Sequence, residues 1–191
     1  MGREKRLSFT VIAGELKGRK ISVPDLGITR PPLARLRKSI FDYLTPYLDG
    51  AACLDLFCGT GSYLFEAVSR GAREAVGVES ESKLSEAIET QAEKYGVEDR
   101  LRVVNGDVFT TIPKLADRQS RYDIILVAPP QYRGFIDRTL VLLAEHELLD
   151  EGGQIICQHD SSETEKIDWL DFFVRQRRRY GNTTFSILGA V

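Results

Sequence analysis

The segment from Ala52 to Leu64 constrains the fold of this 191-residue chain more than any other. A short apolar run leads into a Gly-x-Gly turn, which opens into a helical pattern of apolar residues. Glycine permits a sharp turn and lets a ligand approach the backbone closely. Free N–H groups at the start of a helix add a small positive field. The segment therefore predicts a strand, a tight loop and a helix start that together could hold a ligand.

Two ligands compete for a loop of this kind, a dinucleotide and S-adenosylmethionine. A dinucleotide fingerprint requires a third glycine, and Leu64 occupies that position. The carboxylate of Asp55, at the end of the predicted strand, suits a cationic group such as an amino acid ammonium. The pattern formed by Asp55, Phe57, Gly59 and Gly61 resembles the first motif of class I methyltransferases. We therefore expect S-adenosylmethionine, with a glycine turn that binds no ligand as the remaining interpretation.

The chain after Gly50 alternates β-rich runs with helical patterns, which is typical of a doubly wound α/β sheet. It closes with two β-rich runs around a Gly-Asn turn. We predict a Rossmann-like fold whose mostly parallel seven-stranded sheet ends in a C-terminal antiparallel hairpin. Ahead of it, residues 1–28 form a tail and a small β-hairpin, and residues 29–191 the main domain. The predicted strands of the sheet are 53–57, 75–79, 101–105, 122–127, 154–158, 172–177 and 183–188, and the clearest helices are 33–44, 81–95 and 135–146.

Acidic residues follow three consecutive strands of the predicted sheet, and ligands of such sheets lie over the carboxyl ends of the strands. Glu79 ends the second strand, where its carboxylate can accept hydrogen bonds from ribose hydroxyls. Asp107 can accept one from an adenine amino group, beside apolar Val108. Three acids at three strand ends make a chance arrangement of solvated carboxylates a poor explanation. The predicted cofactor-binding residues are Asp55, Phe57, Cys58, Gly59, Thr60, Gly61, Glu79, Asp107 and Val108.

The fourth strand runs into Ala128, Pro129, Pro130, Gln131 and Tyr132. This segment resembles the Asn/Asp/Ser-Pro-Pro-aromatic motif of methyltransferases that modify exocyclic amino groups of bases. An aryl amine is a poor nucleophile, because its lone pair is delocalised into the ring. Oxygen acceptors can grip its hydrogens and aim the nitrogen at the methyl group, while an aromatic side chain stacks on the base. Such catalysis depends on positioning and electrostatics.

The segment departs from that motif at two positions. Ala128 has no side-chain oxygen, and Gln131 stands where the aromatic residue usually lies, with Tyr132 one position later. The carbonyl of Ala128 or Pro129 could still accept a hydrogen bond, Gln131 could supply an amide oxygen and Tyr132 could stack. Alternatively, the site is catalytically weak or inactive. We predict that residues 128–132 form the catalytic segment.

Charge is distributed unevenly along the chain. The net charge is −2, yet residues 1–38 hold ten Lys and Arg against three acids, which leaves the remainder of the chain at −9. A basic arm on an acidic body is typical of proteins that bind a polyanion, since phosphate neutralisation with counterion release drives nucleic-acid binding. An ordinary solvated basic face is the alternative. The predicted nucleic-acid contacts are Lys17, Arg19, Lys20, Arg30, Arg35 and Arg37.

Motifs spread over almost the whole chain resemble the RsmD family, bacterial methyltransferases of the guanine N2 amino group in small-subunit ribosomal RNA. The resemblance implies direct methyl transfer from S-adenosylmethionine and, as partner, ribosomal RNA or a small-subunit assembly particle. Residues 32–34, Pro-Leu-Ala, differ from the Thr-Thr-Asp usual in the family. The resemblance rests on the segments Gly18-Arg19-Lys20, Arg30-Pro31, residues 55–61, Ser69-Arg70-Gly71-Ala72, Pro129-Pro130, His159-Asp160 and Arg179-Tyr180-Gly181.

The remaining expectations follow from composition. The three cysteines form no Cys-x-x-Cys pair and only two histidines are present, so we expect no metal site. No apolar run approaches the length of a membrane span, and we expect a cytoplasmic monomer. The competing functions are a non-catalytic homologue that binds cofactor and RNA, an amino methyltransferase of DNA or another RNA, and a nicotinamide oxidoreductase. The last is disfavoured by Leu64 and by the closing hairpin.

Overall fold

A seven-stranded sheet organises the computed structural model, which describes residues 5–189. The described strands are β1 (Arg6–Thr10), β2 (Lys20–Pro24), β3 (Ala52–Asp55), β4 (Glu74–Glu79), β5 (Leu101–Asn105), β6 (Tyr122–Val127), β7 (Leu149–Asp160), β8 (Phe173–Tyr180) and β9 (Thr183–Gly189). The helices are α1 (Ala34–Leu48), α2 (Ser62–Ser69), α3 (Ser82–Lys94), α4 (Val108–Asp117) and α5 (Phe135–Glu145).

The strand order of the large sheet is β5-β4-β3-β6-β7-β9-β8. Strands β3 to β7 pair in parallel, and β9 pairs antiparallel with both β7 and β8. This confirms the predicted Rossmann-like sheet with its antiparallel C-terminal hairpin. The chain leaves β3 toward β4 on one side and later returns to β6 on the other. The carboxyl ends of β3 and β6 therefore border the switch point at which ligands bind in such sheets.

Helix α1 and strand β7 extend furthest beyond their predicted bounds. Helix α1 continues to Leu48, past Pro46, because Leu48 extends the buried row that Ile40 and Leu44 occupy on the same helix face. Strand β7 begins at Leu149 instead of residue 154, since its pairing with β6 continues across a register shift. Neither change moves the strand ends that carry the predicted site.

Opposite faces of the sheet bury two separate apolar clusters. Side chains alternate along β3, so that Cys53 faces one cluster and Leu54 the other. Helices α1, α2 and α3 cover the first face together with the N-terminal hairpin, which is β1, β2 and the residues between them. Helices α4 and α5 cover the second face. Within residues 5–189, no helix combines the length and the apolar character needed to cross a bilayer.

The N-terminal hairpin is a separate two-stranded antiparallel sheet that shares the core of the first face. Phe9, Ile21 and Val23 are buried in the same cluster as α1 and α2. Of the predicted tail, residues 1–4 lie outside the described residues, and Arg6 already belongs to β1. The division of the chain at residue 28 stays a prediction.

A buried ionic network fastens the hairpin to the first face. The Glu66 carboxylate, on α2, accepts hydrogen bonds from the Ile12 backbone N–H at 2.7 Å, from Arg37 Nε at 3.1 Å and from Arg70 Nε at 3.2 Å. Arg37 also donates to the Thr10 carbonyl, at 2.5 Å. Glu66 is fully buried and the Arg37 side chain is 2% exposed. The prediction that Arg37 contacts nucleic acid is therefore wrong, since its charge is neutralised inside the protein.

We predict that Glu66→Ala lowers the free energy of unfolding by about 3–5 kcal/mol, because it leaves two buried guanidinium groups without their carboxylate. Chemical denaturation measures the change. The matched control is Glu74→Ala, which removes a carboxylate that is 41% exposed and paired with Arg102 on the surface. We expect the control to cost about 0–1 kcal/mol. Equal losses in the two variants would contradict the structural role of this network.

Candidate active site

The glycine loop joins β3 to α2 at the switch point. Gly59 and Gly61 have positive φ values of 51° and 75°, in the left-handed region that side chains disfavour. A Cβ at Gly59 would lie 2.7 Å from the Thr29 hydroxyl oxygen, and one at Gly61 would meet the Ile88 side chain at 3.1 Å. The segment before α1 therefore lies directly over the loop, and the predicted glycines are needed both for the turn and for this approach.

Asp55 is a buried carboxyl group at the end of β3, with 2% of its surface exposed. Burial raises its pKa to about 7, against a smaller lowering by the Phe57 N–H and with a further rise from the Glu79 carboxylate. Among the described residues, no cationic side chain forms an ion pair with it. A buried acid without a cation is costly, so the arrangement fits a ligand that brings its own positive charge.

Glu79 and Asp107 follow the neighbouring strands, as predicted. The Glu79 carboxylate accepts the Glu81 N–H at 2.9 Å. Asp107 caps α4, where its Oδ1 atom accepts the Phe109 N–H at 2.9 Å. The side chain of Asn105 donates to the Glu79 carbonyl at 2.9 Å, which holds the two strand ends together. The local bonds orient both carboxylates beside the open space in front of the strands.

That space is a cleft of about 730 Å³, here called the cofactor cleft. Glu79 and Asp107 border it, and Val108 adds an apolar wall. Phe57 and Phe135 stack in its lining with ring centroids 6.2 Å apart, and Phe109 packs against them edge-on. An apolar, aromatic wall opposite two carboxylates suits a nucleoside, whose ring is flat and whose sugar carries hydroxyl groups.

Sequence reasoning missed Phe109 and Phe135. An aromatic residue after a predicted strand end is common in any core, and only the packing of α4 against α5 brings these two rings to Phe57. Their positions in the sequence could have indicated them, because Phe109 directly follows Asp107-Val108 and Phe135 begins a helix after Gly134.

Cys58 and Thr60, predicted within the cofactor loop, are both buried. They border a recess of about 120 Å³ beside the cofactor cleft, together with Asp55, Gly59 and Ala128. We call it the target recess. Burial raises the pKa of the Cys58 thiol well above its usual range, so the thiol stays protonated and is no nucleophile. Within residues 5–189, no three His, Cys, Asp or Glu side chains group closely enough to hold a metal ion.

The catalytic segment divides between two places. Ala128, Pro129 and Pro130 border the cofactor cleft. Gln131 and Tyr132 lie beside it, over a shallow depression in front of His159 and Glu163 that Pro129, Pro130 and Gln158 also border. Tyr132 has a left-handed backbone with a φ of 61°, is 66% exposed, and donates its N–H to the Glu163 carboxylate at 3.1 Å. The structure therefore leaves Gln131 outside both the cleft and the target recess.

The predicted nucleic-acid contacts other than Arg37 are exposed. Lys17 and Arg30 line an open groove of about 950 Å³ between the N-terminal hairpin and the start of α1, here called the basic groove. Arg30 also borders the cofactor cleft and the target recess. Arg19 lies elsewhere, with its guanidinium carbon 5.8 Å from the centre of the Tyr95 ring. The side chains of Lys20, on β2, and Arg35, on α1, are also exposed.

The fold and the site together define a class I S-adenosylmethionine-dependent methyltransferase. The strand order, the glycine loop and the acids at the strand ends are those of this class rather than of a nicotinamide oxidoreductase, which would need a glycine at Leu64. The residues fit the cofactor: an unpaired buried carboxylate suits its ammonium group, and the cleft suits its nucleoside.

Comparison with known proteins identifies the family. The model of a family described as "Conserved hypothetical protein 95" matches residues 9–189. The chain is 32% identical over 152 residues to Ribosomal RNA small subunit methyltransferase D of Escherichia coli, covering 78% of this chain and 74% of that protein. It is 27% identical to the protein of the same name from Buchnera aphidicola, over 84% and 82% of the two chains.

Similarity to a solved structure extends over nearly the whole fold. The Escherichia coli protein yhhF superposes with a TM-score of 0.84 at 25% identity, covering 95% of this chain and 97% of that one. The chain belongs to the RsmD family of methyltransferases. The resemblance drawn from the sequence motifs is thereby confirmed.

We predict that Asp55→Asn stabilises the protein while weakening cofactor binding. Because the carboxyl pKa is raised from 3.8 to about 7, its contribution to stability falls as the pH rises between those values. The free energy of unfolding of the variant should therefore exceed that of the parent by about 4 kcal/mol at pH 8, and by less at pH 5.

The same variant should bind S-adenosylmethionine about 30-fold more weakly, because an amide cannot neutralise an ammonium group. Thermal unfolding at the two pH values and calorimetric titration with the cofactor measure both effects. Unchanged affinity would remove Asp55 from the cofactor site, whatever happens to stability.

Proposed function

We propose that this protein transfers a methyl group from S-adenosylmethionine to the exocyclic N2 amino group of a guanine in small-subunit ribosomal RNA. The observation that carries the proposal is the junction of two spaces at adjacent strand ends. Asp55 borders the target recess, Pro129 and Pro130 border the cofactor cleft, and Gly59 and Ala128 border both. The amino acid end of a cofactor held by Asp55 would extend from the cleft into the recess, where a base at Ala128 would meet its reactive end. Membership of the RsmD family supports a ribosomal RNA target.

The cofactor-binding residues act by orientation. We assign the ammonium group to Asp55, the ribose hydroxyls to Glu79, and the adenine to Asp107, Val108 and the neighbouring aromatic wall. When bound, the cofactor supplies a methyl group on a sulfonium sulfur. The loop backbone from Cys58 to Gly61 supports the group between these contacts. This assignment requires no covalent intermediate on the protein, which agrees with the protonated Cys58 thiol.

The target base would be held by the catalytic segment and the exposed residues around it. The rigid Pro129-Pro130 turn fixes the direction of the backbone carbonyls that precede each proline. Ile28 and Leu33 are 60% and 59% exposed at the mouth of the cofactor cleft and of the basic groove. Apolar side chains in these places suit an unstacked base, and a guanine must leave its stack for its N2 to reach a buried methyl donor.

The decisive experiment is transfer of labelled methyl from S-adenosylmethionine to unmodified small-subunit ribosomal RNA, offered both as naked RNA and as a protein-bound particle. Label that maps to guanine N2 supports the proposal and shows which form is the substrate. Labelling of another base, or of DNA in competition, would replace the target. No labelling with normal cofactor binding would favour the non-catalytic homologue, which the missing side-chain oxygen at Ala128 motivates.

The protein is proposed to act as a monomer in the cytoplasm. The basic groove and the cofactor cleft are formed by a single copy of the chain, so neither needs a second subunit. Light scattering coupled to gel filtration, with and without RNA, would measure the mass directly.

We predict that Lys17→Ala/Arg30→Ala weakens RNA binding and makes its salt dependence shallower. Each lost phosphate contact should lower the slope of log K against log salt by about 0.7 for single-stranded RNA. Fluorescence anisotropy at several salt concentrations measures the slope. The control is Lys114→Ala/Arg118→Ala, an exposed pair at the C-terminal end of α4, whereas the N-terminal end of this helix borders the cofactor cleft. A slope that changes equally in both would contradict the basic groove as the RNA surface.

The tip of the N-terminal hairpin is tested by Arg19→Ala/Lys20→Ala in the same assay. We expect a shallower slope here too, because both side chains are exposed and can contact phosphates outside the basic groove. An unchanged slope would confine the interface to Lys17 and Arg30.

A further inference from the structure

Gln158 lies beside Ala128, where the conventional acceptor is missing. Strands β6 and β7 pair in parallel with Val127 opposite Cys157, and Ala128 and Gln158 are the residues that follow these two at the carboxyl edge. Their neighbours Val127 and Cys157 face the second apolar cluster. Because side chains alternate along a strand, Ala128 and Gln158 both point to the first face, on which Asp55 also lies. Both residues line the target recess.

A second polar side chain holds the Gln158 amide in place. The hydroxyl of Tyr63 donates to Gln158 Oε1 at 2.5 Å. Tyr63 lies in the first turn of α2, is 4% exposed and also lines the target recess. An amide oxygen has two lone pairs, so Oε1 can accept a further hydrogen bond while it keeps the one from Tyr63. The recess therefore contains an oriented carbonyl acceptor on a neighbouring strand.

We propose that Gln158 Oε1 is the side-chain acceptor for the target amino group, with Tyr63 as the positioning residue that holds it. This inference rests on the proposed function and specifies which group does the work that Ala128 cannot. Gln131, the other glutamine considered for this role, lies outside the recess. Gln158 instead shares both the strand edge and the sheet face with the missing side chain.

The proposed methyl transfer requires a hydrogen-bond acceptor for the target amine and does not require a general base. One N–H of the target amine donates to Gln158 Oε1 and the other to a backbone carbonyl of the catalytic segment, which directs the nitrogen lone pair toward the methyl carbon. The nitrogen forms a bond to that carbon as the carbon–sulfur bond breaks, and the electron pair of that bond stays on sulfur. The methylated nitrogen then releases one proton to water. Preorganised polar groups of this kind contribute to catalysis without forming covalent bonds.

The test is Gln158→Met, which keeps the length of the side chain and removes the acceptor. We expect kcat for methyl transfer to ribosomal RNA to fall about 100-fold, as for loss of one preorganised hydrogen-bonding group. Calorimetric affinity for S-adenosylmethionine should stay unchanged, because Gln158 is assigned to the base. Thermal unfolding reports how much stability the lost Tyr63 bond contributes.

The same strand provides a matched control in Gln154→Met. Gln154 is buried on β7 and accepts a hydrogen bond from Tyr43 at 2.9 Å, so the variant breaks the same kind of Tyr–Gln pair four residues away from the site. We expect it to lower the melting temperature about as much as Gln158→Met and to leave kcat unchanged. A fall in kcat in both variants would mean that damage to β7 explains the result, and it would overturn the inference.

Two further variants separate positioning from folding. Ala128→Asn, placed in the Gln158→Met background, should recover most of the lost kcat by returning an oxygen to the neighbouring strand. Tyr63→Phe should lower kcat in the parent protein and have little effect when Asn occupies position 128.

The outcomes distinguish this inference from the proposed function. If the parent protein labels guanine N2 and Gln158→Met keeps its kcat, the inference is wrong and the proposed function stands. If the parent protein labels no ribosomal RNA, the proposed function fails and the inference fails with it. Loss of kcat in Gln158→Met alone, recovered by Ala128→Asn, supports both.

Discussion

The burial of Asp55 without a cation is the constraint on which the site depends. A carboxyl group at the end of a central strand has little access to water, and its raised pKa of about 7 expresses the cost of ionising it there. The ionised carboxylate lowers the stability of the folded protein, and a cationic ligand that binds beside it would offset this loss of stability. If Asp55 binds the ammonium group as we propose, destabilisation at this position and affinity for the cofactor are two results of the same burial.

Glu66 shows the contrasting use of a buried acid. Its carboxylate also lies deep in the first face, yet two guanidinium groups and a backbone N–H satisfy it completely. Such an acid joins elements of structure, in this case the N-terminal hairpin to α1 and α2, and has no capacity left for a ligand. The number of partners inside the protein therefore separates the structural acid from the acid that we propose to bind the ligand. Burial alone does not distinguish them.

The same distinction explains how much of the protein could be predicted from its sequence. The positions of Glu79 and Asp107 beside the cleft could be predicted, because both residues lie at the ends of clear strand patterns. The ends of parallel strands meet at one sheet edge whatever the details of packing. The burial of Arg37 could not be predicted, because the sequence does not show whether a basic residue near the N-terminus faces solvent or Glu66. Gln131 and Tyr132 were predicted from the motif alone, and neither borders the recess, with Tyr132 in a left-handed backbone conformation.

The role proposed for Gln158 could not be predicted from the sequence, because its partners are distant in sequence. Tyr63 precedes it by 95 residues and Ala128 by 30. The register of β6 with β7 brings Ala128 beside Gln158, and the packing of α2 on the first face brings Tyr63 to it. A replacement for a lost side chain at position 128 must lie on the same face and at the same edge of the sheet. Cys157 and His159 fail this condition, because alternation along β7 turns both away from the first face. The residue between them meets it, so the strand pairing itself limits where compensation for Ala128 can arise.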